Sequence, residues 1–312
     1  MIQHIIKTQT FTHDFLKRIF ASTSMMRNFV LHKNTPKFLK DKIVATLFYE
    51  ESTRTRLSFE AAAHRMGAGV ISSANARQFS SVSKGETLED TILTLSGYAD
   101  CIILRYHKDG GAARAAHVSK VPIINAGDGS GQHPTQALLD LFTIQDELGH
   151  IDGLSIALAG DLAHGRTVHS LAYLLGKFND IKLFLISPQS LSMPNDIKEY
   201  LKRHNVEFFE VDTFNKCIGD LDVLYQTRIQ KERFNSLEQY EENKGKLIIT
   251  RDIANSMKSD AIILHPFPRV DEIRYGVDDN HRAKYFIQAE NGKYVRMALL
   301  HLLLTGENDE NK

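Results

Sequence analysis

Five consecutive residues, Ser52-Thr53-Arg54-Thr55-Arg56, set three hydroxyls and two guanidinium groups between the apolar run KIVATLFY and the helix-patterned segment LSFEAAAHRMGA. Ser52 suits a helix N-cap. A helix start presents backbone N–H groups and the positive end of the dipole, which together suit a phosphate. The hydroxyls of Ser52, Thr53 and Thr55 add donors, and Arg54 adds a planar fork matched to phosphate oxygens. An ordinary capped helix with a solvated basic turn would use the same residues. With no glycine-rich run and no GK[ST], the segment is not a P-loop.

Other polar residues recur at one topological position, just past apolar runs. Arg105 ends CIILR, and the loop AGDGSGQ leads from VPIIN to His133-Pro134-Thr135-Gln136. Arg166 follows LSIALAGDLAHG, Arg228 and Gln230 follow DVLYQT, and His265-Pro266-Phe267-Pro268-Arg269 follows AIIL. Ligands of open parallel sheets bind beyond the carboxyl ends of the strands. With the end that carries STRTR, six such ends would converge on one face or on two facing edges. One arginine alone reads as a solvated surface charge, and His133 alone as a satisfied loop histidine; the repetition argues for a site. The chemistry implied is anion handling without a covalent nucleophile, since there is no G-x-S-x-G elbow and neither Cys101 nor Cys217 sits beside a candidate base. No H-E-x-x-H or Asp/His cluster points to a metal, and Gly160–Gly165 lacks the G-x-G-x-x-G of a dinucleotide loop. No cofactor and no metal are expected.

The elements that must position these residues alternate along the chain. Short Val/Ile/Leu-rich runs predict strands at Lys42–Tyr49, Val70–Ser73, Cys101–Tyr106, Val121–Asn125, Leu154–Ala159, Lys182–Ile186, Val206–Val211, Asp222–Gln226 and Ala261–Leu264. Most lack polar alternation, as expected of strands covered on both faces. Helical patterning is expected near 53–66, 87–98, 112–118, 134–148, 166–178, 196–204, 252–258 and 283–305. The pattern predicts an α/β fold of two similar-sized domains, each a mostly parallel sheet flanked by helices, joined by helices. Residues 1–135 would form one domain and 136–285 the other, and the C-terminal helix at 286–312, which by its pattern could pack back on either half, is assigned to the first. The polar connection Asn75–Glu86 is long for a compact domain, and such loops are often functional.

Composition narrows the class. Lysine plus arginine balances aspartate plus glutamate at 38 each in 312 residues, so nothing global favours nucleic acid or an anionic membrane. Two distant cysteines make neither a disulfide framework nor a zinc set, and Cys101 reads as a buried, inert thiol. MIQHIIKTQTF lacks a signal peptide's apolar stretch, and the run from Ala298 to Leu304 is too short to span a bilayer. A cytoplasmic location is the default expectation.

Taken together and in order, STRTR, SKGETLEDT, Arg105, NAGDGSGQHPTQALLD, GRTVHSL, TRIQKER and HPFPRVDEI cover nearly the whole chain. This series resembles the carbamoyltransferase family, on the aspartate-specific branch rather than the ornithine branch, where HCLP is expected in place of HPFP. Two carboxylates on a substrate would call for guanidinium partners, which also favours that branch. The resemblance implies transfer of the carbamoyl group of carbamoyl phosphate to the amine of L-aspartate, a step of pyrimidine biosynthesis. It implies that Ser52, Thr53, Arg54 and Thr55 hold the phosphate, and that Arg105 bridges phosphate and carbamoyl oxygen. His133 and Thr55 would polarise that oxygen, while Gln136 and the backbone carbonyls of Pro266 and Phe267 orient the carbamoyl NH2. Arg166, Arg228 and Gln230 would bind the aspartate carboxylates. Ser80 and Lys84, on the long loop, would reach a neighbouring subunit's site, Ser80 toward carbamoyl phosphate and Lys84 also toward aspartate, so the active form would be a homotrimer with shared sites. A zinc-bearing regulatory chain forming a dodecamer is a further possible partner, with any zinc belonging to that chain.

Two positions depart from the family's pattern. The loop reads SSVSKGE where enterobacterial relatives resemble SLGKKGE, so Ser83 stands in place of a lysine, and Phe267 replaces the usual leucine of HPLPR. A relative acting on another amino substrate, and a silent scaffold of the same fold, are the competing readings at this point.

Overall fold

The computed structural model describes residues 3–76, 85–230 and 236–306. They divide into two compact units, Met1–Leu139 with Glu290–Lys312, and Asp140–Ala289. In the first, β1 (Ile43–Phe48), β2 (Gly69–Ser73), β3 (Cys101–Tyr106) and β4 (Ile123–Asp128) form a parallel sheet in the order β2-β1-β3-β4. Its helices include α1 (His13–Leu31), α2 (Thr53–Arg65), α3 (Leu88–Leu95) and α4 (Gly111–Val118). In the second, β5 (Ser155–Ala159), β6 (Lys182–Ile186), β7 (Glu207–Val211), β8 (Val223–Gln226) and β9 (Ile262–Leu264) are parallel in the order β7-β6-β5-β8-β9. Here the helices include α6 (Arg166–Leu175), α7 (Asn195–Arg203), α8 (Leu237–Asn243) and α9 (Arg251–Asn255). Both unit boundaries fall inside helices, α5 (Pro134–Leu148) and α10 (Tyr285–Thr305), as do the boundaries expected after residues 135 and 285.

All nine expected strands are present, within three residues at each end. Burial explains why runs without alternation read correctly. Every residue of β4, β8 and β9 is buried, so both faces of these strands need apolar side chains. The outer strands β2 and β7 are largely exposed, which suits edges covered on one side only. Ile102, Leu104 and Ile123 pack into the core of the first unit, and Ala157, Leu224 and Ile263 into that of the second.

α1 is the long helix that patterning did not predict. Its start is nonetheless encoded, since the Thr12 hydroxyl accepts the Phe15 N–H at 3.1 Å. Its buried stripe, Phe15, Leu16, Ile19 and Met26, is interrupted by Ser22 and Thr23, which are buried as well. Thr23 is accommodated by donating its hydroxyl to the Ile19 carbonyl at 2.6 Å. Hydroxyls on the core face thus hide the helical period. α5 ends as the sequence predicts, with Gly149 at φ +80 in the left-handed region that favours glycine.

Candidate active site

Each sheet reverses its winding direction once, and the expected polar residues collect at those reversals. In the first unit the chain moves from β1 outward to β2, then back across to β3 and β4. The switch point is therefore the gap between the carboxyl ends of β1 and β3, the place where such sheets bind ligands. STRTR leaves β1 there, Arg105 lies on β3 opposite Phe48, and the loop after β4 brings in His133 and Gln136. At a strand spacing of about 4.8 Å, these three neighbouring ends span about 10 Å.

Local structure aims these groups. Ser52 occupies the N-cap position of α2, with its carbonyl accepting the Arg56 N–H at 3.1 Å. Its hydroxyl does not cap the helix, contrary to the expectation above: at φ −161 and ψ 88 no side-chain capping bond forms. The hydroxyl is consequently not committed to its own helix, while Thr53 and Arg54 are exposed and Thr55 is buried. Arg105 is held from two sides. Nη1 donates to the Ala126 carbonyl at 3.2 Å, and Nε lies 3.6 Å from the Glu50 carboxylate. Asp128 staples the loop that follows β4, accepting from Gln132 N and Asn125 Nδ2 through Oδ1 and from Gly110 N through Oδ2, at 3.1, 3.2 and 3.1 Å. The loop delivers His133, buried to 4% exposure, into the first turn of α5, where its carbonyl accepts the Gln136 N–H at 3.0 Å. Thr135 Oγ1 lies 3.5 Å from His133 Nδ1.

In the second unit the switch point lies between β5 and β8. Arg166 opens α6 just past β5, and Arg228 and Gln230 follow β8. Gly160, at φ +115, lets the two connections approach: a Cβ there would sit 2.3 Å from the Thr227 carbonyl, immediately before Arg228. The turn into α6 is shaped by buried Asp161, whose Oδ1 accepts the His164 N–H at 3.0 Å and lies 3.1 Å from His164 Nδ1. Arg228 lines a pocket of about 230 Å3 together with Gln226, Tyr240, Lys244, Asp271 and Glu272.

The adjacent strand β9 carries the turn with Pro266 and Phe267. Phe267 has φ +55, a left-handed conformation uncommon for a bulky residue that surrounding structure must hold. His265 and Glu272 provide that hold; in the sequence His265 was only one of the strand-end residues, and Glu272 had no role. Glu50 and Asp128 were missed too. The signal for Glu50 was an acidic pair directly before STRTR, and for Asp128 the Gly-Asp-Gly turn. Ser80, Ser83 and Lys84 lie outside the described residues.

Neither cysteine competes as a nucleophile. Both are buried without a disulfide; burial pushes the Cys101 thiol up, and that of Cys217 to about 11.

Fold and site together define an α/β enzyme that holds anionic groups at the switch points of two parallel sheets. Residues 3–146 match the family model described as "Aspartate/ornithine carbamoyltransferase, carbamoyl-P binding domain", and residues 152–303 its "Asp/Orn binding domain". The chain belongs to the aspartate/ornithine carbamoyltransferase family. It is 51% identical over 308 residues to a chloroplastic aspartate carbamoyltransferase of Pisum sativum, covering 98% of this chain and 78% of that one. Against the aspartate carbamoyltransferase catalytic subunit of Methanocaldococcus jannaschii it is 48% identical over 309 residues, covering 99% and 100%. A solved structure of the M. jannaschii catalytic subunit superposes with a TM-score of 0.91, at 48% identity over 99% of this chain and 100% of that one. The Trypanosoma cruzi aspartate transcarbamoylase in complex with N-(phosphonacetyl)-L-aspartic acid gives 0.92, at 38% identity over 97% and 96%.

Proposed function

We propose that this chain transfers the carbamoyl group of carbamoyl phosphate to the amine of L-aspartate, giving N-carbamoyl-L-aspartate and phosphate, a step of pyrimidine biosynthesis. The observation that carries aspartate rather than ornithine is the placing of Arg166 and Arg228 at one switch point: paired guanidiniums suit a dicarboxylate and repel a second amine.

In this reading Ser52, Thr53, Arg54 and Thr55 hold the phosphate at the start of α2. Gln136 and the carbonyls of Pro266 and Phe267 accept the carbamoyl N–H groups. Arg166, Arg228 and Gln230 take the aspartate carboxylates. The deprotonated amine attacks the carbamoyl carbon, forming the C–N bond and a tetrahedral intermediate whose oxyanion faces Arg105, His133 and Thr55. Donors fixed in this way each contribute about 3–4 kcal/mol, and holding both substrates in register contributes about 7–11 kcal/mol more. The C–O bond to phosphate then breaks, and the departing phosphate accepts the amine proton, so no protein base is needed. Carbamoyl phosphate binds first. Tight calorimetric binding of aspartate to the bare enzyme would contradict that order.

The same reading makes the active form a homotrimer in which Ser80 and Lys84 complete a neighbour's site, and allows a zinc-bearing regulatory chain as a further partner. It places the protein in the cytoplasm; fractionation would decide between that and an organelle such as the one named for the plant relatives. The deciding assay offers aspartate and ornithine in turn with labelled carbamoyl phosphate. Carbamoyl-aspartate alone is expected. Carbamoyl-ornithine, or no product from the purified oligomer, would overturn the reading.

A further inference from the structure

The turn after β9 supplies carbonyls to the reaction, and its side chains form a closed set of hydrogen bonds. His265 is 1% exposed, and its backbone N–H donates to Gln288 Oε1 at 2.8 Å. Its ring Nδ1 lies 2.8 Å from the Phe267 backbone nitrogen. A backbone amide can only donate, so Nδ1 must offer its lone pair, and the proton of the neutral ring sits on Nε2. Nε2 lies 2.7 Å from Glu272 Oε1, in place to donate. The other Glu272 oxygen accepts the backbone N–H groups of Val270 and Asp271, each at 3.1 Å. Residues 265 to 272 are thus clasped by one imidazole and one carboxylate, both buried.

The consequence concerns a carbonyl. The Phe267 N–H and the Pro266 C=O belong to one peptide group, which is planar and trans, so they point in opposite directions. Drawing the N–H onto the buried imidazole turns the Pro266 oxygen away from it. We infer that His265 is a positioning residue for carbamoyl phosphate: its Nδ1 fixes the Pro266 carbonyl as an acceptor for the carbamoyl NH2, and Glu272 fixes the ring. This rests on the reading above that the turn's carbonyls meet that NH2. An acceptor fixed there favours a substrate bearing N–H over one bearing a methyl group, so His265 sets the preference for carbamoyl over acetyl phosphate. Glu272 is suited to its part, since its carboxyl sits below its usual value. Burial pushes it up, but the His265 bond and the backbone N–H groups outweigh burial.

The test compares His265→Gln and His265→Asn with wild type. Asparagine places a carbonyl oxygen near the position of Nδ1, whereas glutamine reaches toward Glu272 and leaves the Phe267 N–H without its acceptor. The measurements are KM for carbamoyl phosphate, kcat, and inhibition constants for acetyl phosphate and inorganic phosphate. In His265→Gln, KM for carbamoyl phosphate should rise about tenfold or more, and both inhibition constants should stay within about twofold. His265→Asn should recover most of the loss. Equal weakening of all three ligands, no change in any, or an asparagine variant no better than the glutamine one would overturn the inference. Should His265→Gln fail to fold, Glu272→Gln is expected to show the same split in smaller measure, and equal weakening there again overturns it. If wild type binds acetyl phosphate as tightly as carbamoyl phosphate, the NH2 contact itself is wrong, and that failure belongs to the functional reading.

Discussion

Tyr225 places its phenolic oxygen 2.8 Å from Asp140 Oδ2, and neither side chain reaches water. Asp140 Oδ1 accepts a second bond, from Gln288 Nε2 at 2.6 Å, and Gln288 in turn accepts the His265 backbone N–H. One buried carboxylate therefore ties α5, β8 and α10 to the turn after β9. Burial, the Asp140 charge and the bond to it keep the Tyr225 phenol protonated and donating far above neutral pH. Tyr225→Phe keeps the ring and removes the donor, taking one hydrogen bond from the buried carboxylate. Such a change costs about 1–3 kcal/mol. Calorimetry should show a Tm lower by several degrees, and an unchanged Tm would mean that the bond contributes nothing net.

His133 is buried beside the switch point of the first sheet, where a polarising donor acts with little competition from water. His133→Ala should lower kcat by about 100- to 1000-fold while KM for carbamoyl phosphate moves far less, because the bond strengthens mainly as the oxyanion forms. Near-normal turnover would return His133 to a loop residue without a role in the chemistry.

In the proposed reading Arg228 binds aspartate in the ground state as well. Losing a charge-assisted bond to a carboxylate costs about 1.5–3 kcal/mol. Arg228→Ala should therefore raise KM for aspartate by about ten- to a hundredfold, with KM for carbamoyl phosphate nearly unchanged. Equal effects on both substrates would remove Arg228 from the aspartate site.

Acid stability follows from two carboxyls. Burial raises the Glu272 carboxyl, but His265 and the turn's N–H groups hold it below its ordinary 4.5. Asp278 is held below 3.8 by Arg269, whose Nη2 donates to Oδ2 at 2.6 Å; slight burial opposes this and Tyr285 adds to it. A group whose folded value is depressed contributes stability that is complete above its unfolded value and lost as pH falls through the folded one. Urea midpoints should thus stay level with respect to these two groups down to about pH 5 and fall below pH 4.5. The gap between wild type and Asp278→Asn should narrow as pH approaches 3. A gap of constant size from pH 7 to pH 3 would show that the Arg269 pair does not account for it.

Strand positions were legible because buried parallel strands need apolar residues on both faces, and runs such as CIILRY and AIIL have no other economical use. The sheet order was not, although it is what gathers STRTR with Arg105, and Arg166 with Arg228. Residues that carry charge at strand ends announced themselves by type. Those that aim them did not: Glu50, Asp128 and Glu272 look like ordinary surface acids until their partners, tens of residues away or across a turn, are known. α1 stayed hidden for a different reason, since Ser22 and Thr23 sit on its core face, where Thr23 donates its hydroxyl within the helix.

Lys84 lies outside the described residues, and its proposed role in a neighbour's site is open to a complementation test. Arg54→Ala and Lys84→Ala homotrimers should each be nearly inactive. Unfolded together in equal amounts and refolded, three-quarters or so of the trimers contain both chain types in a cyclic arrangement. Going around any mixed trimer, one interface of the three joins a chain with intact Arg54 to a neighbour with intact Lys84. The mixture should then regain about one quarter of wild-type activity. Recovery near that level, with neither parent active alone, requires the two residues to serve one site from different chains. If mixed trimers form, as shown by an affinity tag carried on one of the two chains, yet stay inactive, Lys84 acts within its own chain or not at all, and the shared site must be abandoned.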